Sequence, residues 1–102
     1  MTLQDAIDEF LVYLTSVRTL SENTVTGYKN DLTYLTAYAG FERPVESIKK
    51  EELLISIGML SQRKMAAASI NRYISAVRAL FDYCKTLKYI EKNPALEIKT
   101  VK

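Results

Sequence analysis

Apolar residues recur every three or four positions through most of this chain, the spacing of amphipathic helices rather than of strands. Leu3, Ile7, Phe10, Leu14 and Val17, widened by Ala6, Leu11 and Tyr13, predict a first helix over about 3–17. Thr2 and Asp5 give it an N-cap signal. Val25, Tyr28, Leu32, Leu35 and Ala39 predict a second helix over about 22–38, with Ser21 as N-cap and Gly40 as the residue just past its end. Pro44 marks a loop over 42–45. A third helix begins near Lys49 or Lys50, turns Leu53, Leu54, Ile57 and Leu60 inward, and ends near Gln62. Helix propensity alone would run it on through Met65 and three alanines, so the break signal there is weak. Ser69 is the best N-cap in that run and predicts a fourth helix over about 69–87. Its stripe of Ile70, Ile74, Val77, Phe81 and Cys84, flanked by Tyr73, Leu80 and Leu87, is the clearest in the chain. Asn93-Pro94 reads as N-cap and first residue of a short final helix from Ala95 to about Ile98. The predicted fold class is all-α: a bundle of four main helices plus a short C-terminal helix.

Composition narrows the chemistry. The 102 residues suffice for one domain and one modest core, with little room for a deep enclosed active site. There is no histidine, which removes histidine acid–base chemistry and histidine metal ligation from this chain. One cysteine, Cys84, makes neither an internal disulfide nor a multi-cysteine zinc site, and its place on a core stripe predicts an inert thiol. No metal and no cofactor are expected. No basic segment precedes an apolar stretch at the start, and no apolar run approaches the length of a membrane span. A cytoplasmic protein without membrane attachment is expected.

The net charge of +2 conceals an asymmetry. Residues 1–60 carry five Lys/Arg against nine Asp/Glu, whereas residues 61–102 carry nine against three. A basic second half fits an anionic partner. The acids Asp5, Asp8 and Glu9 look like a solvated outer face, and Glu51 and Glu52 suit the first turn of a helix. The polar faces are more informative. Thr26, Lys29, Thr33 and Thr36 share one side of the second helix. Asn71, Ser75, Arg78, Asp82 and Lys85 share one side of the fourth, with Arg72 beside Asn71. Small hydroxyl and amide groups mixed with Lys and Arg are the side chains that contact phosphates and base edges.

Three segments resemble a known family. Leu20-Ser21-Glu22-Asn23-Thr24-Val25-Thr26-Gly27-Tyr28-Lys29-Asn30-Asp31-Leu32 is similar to the second-helix signature of the N-terminal core-binding domain of tyrosine recombinases, the phage integrase and Xer class. Ser69-Ile70-Asn71-Arg72-Tyr73-Ile74-Ser75-Ala76-Val77-Arg78-Ala79-Leu80-Phe81-Asp82-Tyr83 resembles its fourth-helix signature, and Asn93-Pro94-Ala95 its closing motif. The resemblance implies a SAM-like bundle, over residues 1–98, that grips one face of double-stranded DNA in site-specific recombination or integration. Residues 99–102 would begin the linker to a catalytic domain that the chain does not contain.

On that resemblance the DNA-contacting set is Asn23, Thr24, Thr26, Lys29, Ser69, Arg72 and Ser75. Asn71 joins it from the polar face, and Lys64, with Arg63, lies just before the fourth helix. No catalytic residue is expected: none of the seven tyrosines sits in the motif of the family's nucleophile, so the fragment itself is not an enzyme. A monomer in isolation is expected, with other recombinase protomers as partners of the full-length protein on DNA. Gly27 departs from the family pattern, where a side chain is usual. Glycine there costs about 1 kcal/mol of helix propensity relative to alanine but allows close approach of the backbone to DNA. The rival reading is a helical protein–protein interaction module.

Overall fold

The computed structural model describes residues 1–101. Lys102, one of the residues expected to begin the linker, lies outside the described residues. Four helices, α1 (Leu3–Ser16), α2 (Glu22–Ala39), α3 (Lys50–Gln62) and α4 (Ala67–Thr86), form the bundle, with a one-turn 3₁₀ helix at Val45–Ser47. Among the described residues the only β-pairing is an isolated bridge between Thr2 and Pro44. It ties the N-terminus to the α2–α3 loop, where the Leu3 amide donates to the Arg43 carbonyl at 2.7 Å.

The caps follow the sequence at α1 and α2. The Thr2 hydroxyl accepts the Asp5 amide at 3.1 Å, and the Ser21 hydroxyl accepts that of Thr24 at 3.2 Å. α4 starts at Ala67, and its N-cap is Ala66, three residues before the predicted Ser69 and without a side-chain cap bond. The break from α3 is made by Lys64, which takes a left-handed φ of 60°. The Met65 amide there reaches back to the Leu60 carbonyl at 3.2 Å, the long bond of a helix C-cap. Thr19, Gly40 and Lys88 take positive φ after the other three helices. A left-handed residue thus follows each helix, and glycine supplies it only once.

The core runs along α4, which packs against each of the other three helices and buries Ile70, Tyr73, Ile74, Ala76, Val77, Leu80, Phe81 and Cys84. On α3 the inward set is Leu53, Ser56 and Leu60, while Leu54 faces out. Ser56 is tolerated inside because its hydroxyl donates to the Leu53 carbonyl at 2.7 Å and bonds the buried Tyr73 hydroxyl at 2.9 Å. Burial pushes the Tyr73 phenol up to about 12 and the Cys84 thiol up to about 11, as an inert core thiol requires.

The expected short C-terminal helix does not form. Asn93 accepts the Ala95 amide at its own Oδ1, 2.8 Å away, as a helix cap would, but residues 94–97 close as consecutive turns. The chain then lies across α4, where Arg78 donates to the carbonyls of Ala95 and Ile98. The Asn93 amide donates to the Arg78 carbonyl at 3.1 Å and to Asp82 at 2.7 Å. A continuing helix would have to give up these bonds.

Arg43 braces the opposite side with a fork onto Glu52, at 2.9 and 3.0 Å. Glu52 therefore does more than suit the helix dipole: it also accepts the Lys49 amide at 3.0 Å. The Arg43 bond first, then the Lys49 amide, hold its carboxyl below the usual glutamate range. Its contribution to stability is complete above the unfolded-state pKa of about 4.3 and is lost as pH falls through the lowered value. Thermal midpoints measured from pH 6 downward, at steps of about one unit, should separate wild type from Glu52→Gln most at pH 6. The two curves should converge in acid, and a gap that stays constant with pH would contradict this.

Candidate nucleic-acid interface

The N-terminal halves of α2 and α4 lie side by side and leave between them a cleft of about 340 Å³. Asn23, Thr24, Gly27, Tyr28 and Asp31 line it from α2, and Arg72, Ser75 and Ala76 from α4. Four of the predicted site residues, Asn23, Thr24, Arg72 and Ser75, are thus brought together from two segments far apart in sequence. Thr26 and Lys29 are exposed on α2 outside the lining. Ser69 is half-buried in the first turn of α4, and Lys64 is exposed at the left-handed turn before it.

Arg72 is organised from behind by Asp31, a residue outside the sequence-predicted site. Asp31 is 3% exposed, and its carboxylate accepts the Arg72 Nε–H at 2.9 and 3.2 Å and an Nη2–H at 3.2 Å. These bonds, reinforced by the Asp31 charge, push the guanidinium pKa upward and keep it charged. The Arg72 side chain nonetheless stays 65% exposed. Asp31 follows Tyr28 by three residues and precedes Leu35 by four, so it is a charge at core spacing. That spacing is the signal by which a buried ion pair could have been suspected.

Elsewhere the polar faces turn inward on the chain itself. The Thr33 and Thr36 hydroxyls bond back to the Lys29 and Thr33 carbonyls within α2. Thr24 accepts from the Ser21 hydroxyl at 2.9 Å. On α4 the expected polar face splits in two. Ser75 lines the cleft, whereas Asn71, Arg78 and Asp82 hold the C-terminal segment. Asn71 clasps the Val101 backbone on both sides, donating to its carbonyl at 2.9 Å and accepting its amide at 2.7 Å.

Glu9 is not part of a solvated face either. One of its oxygens accepts both the Tyr83 and Tyr89 hydroxyls, at 2.8 and 2.7 Å. Burial and this bond push the Tyr83 phenol up, and the Glu9 bond does most of the same for Tyr89, so both stay protonated. No helix among the described residues is long and apolar enough to cross a membrane.

A four-helix all-α bundle with a hydroxyl, amide and guanidinium cleft between its second and fourth helices is the class that this fold and site define. Residues 7–88 match the phage integrase N-terminal SAM-like domain, and the chain belongs to that family. It is related to the XerC and XerD tyrosine recombinases. It is 27% identical over 101 residues to tyrosine recombinase XerC of Treponema denticola, covering 98% of this chain and 33% of that protein. It is 33% identical over 100 residues to a tyrosine recombinase of Thermosipho africanus, covering 95% of this chain and 35% of that one. The chain therefore spans about a third of the length of the curated relatives it matches. Among solved structures, a lambda integrase dimer bound to a COC′ core site shares the fold with a TM-score of 0.89 at 20% identity, over 100% of this chain and 36% of that one. The integrase-like domain from Bacillus cereus does so with a TM-score of 0.87 at 15% identity, over 99% of this chain and 84% of that one.

Asn71→Ala removes both bonds to Val101, each worth about 1 kcal/mol. Tryptic cleavage after the exposed Lys99 should become several-fold faster, with little change in the thermal midpoint of the bundle. Unchanged cleavage would mean that the other bonds to the segment, from Arg78 and Asn93, hold the tail without Asn71.

Proposed function

We propose that this chain is the DNA-gripping domain of a site-specific tyrosine recombinase or integrase. The N-terminal halves of α2 and α4 meet one face of a duplex. Asn23, Thr24, Thr26, Lys29, Lys64, Ser69, Asn71, Arg72 and Ser75 make the contacts, Asn71 after releasing the tail. The observation that carries this reading is the convergence of Asn23, Thr24, Ser75 and the half-free Arg72 guanidinium on one cleft between two helix starts. Backbone N–H groups and the dipole at those starts favour phosphate oxygens. Membership of the integrase family and the core site bound to the lambda integrase dimer support the same reading.

Residues 1–98 form the binding unit, and residues 99 onward lead to a catalytic domain whose chemistry this chain does not perform. The full-length protein acts with further protomers on DNA in the cytoplasm, whereas this chain alone is monomeric. Leu54, Ile55 and Met59, exposed together on α3, are what favours the rival reading of a protein–protein module.

Salt separates the two. With about five phosphates engaged, log K for a duplex should fall against log salt with a slope of about −4 to −5, from a Kd near the non-specific range of roughly 10⁻⁴–10⁻⁶ M. Duplex-induced amide shifts should cluster at residues 23–29 and 69–75, and Asp8→Ala should leave affinity unchanged. A flat salt response, or shifts confined to α1 and the 41–47 loop, would favour the adaptor.

A separate expectation concerns chemistry. A suicide DNA substrate should yield no covalent adduct with this chain, and a tyrosine-linked adduct seen by mass spectrometry would overturn the assignment of cleavage to another domain.

A further inference from the structure

Two features of the α2–α4 cleft have no explanation in packing. The first is Gly27. It sits inside α2 without a positive φ, and a Cβ built there meets nothing within 4 Å. Neither backbone geometry nor a neighbouring atom requires glycine, and alanine would be the better helix former. The missing side chain leaves a notch in the cleft.

The second is the free half of Arg72. A guanidinium carries five N–H donors. Asp31 takes the Nε hydrogen and one Nη2 hydrogen, from the side. Both Nη1 hydrogens and the second Nη2 hydrogen find no acceptor among the described residues. These form the end-on fork that matches two oxygens of one phosphate. Asp31 is buried and fixed in α2, so it sets the plane of that fork.

We propose that the notch over Gly27 is the seat of one DNA backbone phosphate, held by the end-on fork of Arg72, with Asp31 as the positioning residue that turns the fork outward. This deepens the DNA-binding reading and rests on it. The phosphate enters where a Cβ would otherwise stand, and Asn23 and Ser75 offer donors at the rim of the same cleft. Asp31 keeps the guanidinium from swinging, so the contact loses little side-chain freedom on binding.

Glycine-to-alanine substitution tests this with opposite signs on two readouts. Gly27→Ala should raise the thermal midpoint by about 4–8 °C. It should nonetheless weaken binding to duplexes of about 20 base pairs by on the order of tenfold, alike on sequences of different composition, and reduce the salt slope by about 1. Gly58→Ala on α3, where a Cβ also meets nothing within 4 Å, is the control: a similar gain in midpoint and unchanged binding. Asp31→Asn should weaken binding severalfold when Arg72 is present and have no effect in an Arg72→Gln background, which a merely structural role would not produce.

If Gly27→Ala binds like wild type, no group enters the notch and the proposal fails. If the loss is confined to particular sequences, the fork reads a base edge and the phosphate assignment fails. If the wild-type chain binds no duplex at all, the DNA reading falls, and this proposal with it, an outcome distinct from the other two.

Discussion

The structure depends on α4 having to serve three neighbours at once. A helix that packs against α1, α2 and α3 has little circumference left for solvent, and eight of its twenty residues are buried. Two polar edges remain. One, at Asn71, Arg78 and Asp82, lies under the C-terminal segment and bonds it. The other, at Arg72 and Ser75, borders α2 and stays accessible. The position of the cleft thus follows from how α4 is packed. Any residue that shifts α4 against α2 shifts the cleft as well, so the buried Tyr73 bears on it without lining it.

The helices were legible because each carries a continuous apolar stripe, and α1 and α2 also carry caps of recognisable chemistry. What was not legible was local: backbone conformations and side-chain partners that a helical pattern does not carry. The end of α3 falls at Gln62, where the sequence predicts it, but the left-handed turns at Thr19, Lys64 and Lys88 occur at residues that rarely adopt them and were not announced. Ala66 caps α4 without a side-chain bond, which drew the predicted start to Ser69. Asn93-Pro94 starts a helix by every local rule, yet the next residues are needed by Arg78. Leu54 and Ser56 exchanged places because Tyr73, from another helix, supplies the hydroxyl partner that makes serine acceptable inside. Within the site, residue types and helix faces were readable, but which of them converge was not. Thr24 and Ser75 share a cleft only once α2 and α4 are placed, and the core spacing of Asp31 signals burial without naming Arg72 as its partner.

Charge counting by halves exaggerated the free positive charge. In the basic second half Arg72 is half-occupied by Asp31, and Arg78 turns its guanidinium onto two carbonyls of the chain, which hold it in place without cancelling its charge. In the acidic first half, Glu52 is engaged by Arg43 and Asp31 by Arg72. The field that an approaching polyanion meets is therefore set by a few unpaired groups in known places rather than by the difference between the halves. Lys64 remains exposed just before α4, where its charge and the helix dipole act in the same direction, and Lys29 is exposed further along α2.

The Asp31–Arg72 pair is an inefficient way to hold two helices together. Burying a carboxylate carries a desolvation penalty that the attraction to its partner largely offsets and seldom exceeds, and an apolar pair of similar volume would hold α2 to α4 at least as well. Arg72 also keeps most of its side chain in solvent, where screening weakens the attraction further. The pair differs from an apolar contact in being directional. A carboxylate fixed in α2 permits one plane for the guanidinium on α4, and an apolar contact would permit many. The same bonds also oppose sliding of the two helices, because moving either by one residue would separate the carboxylate from Nε and leave a buried charge unpaired. Register between α2 and α4 and orientation of the exposed fork are thus both constrained by one interaction, which on the proposed function places the demands of folding and of recognition on the same two side chains.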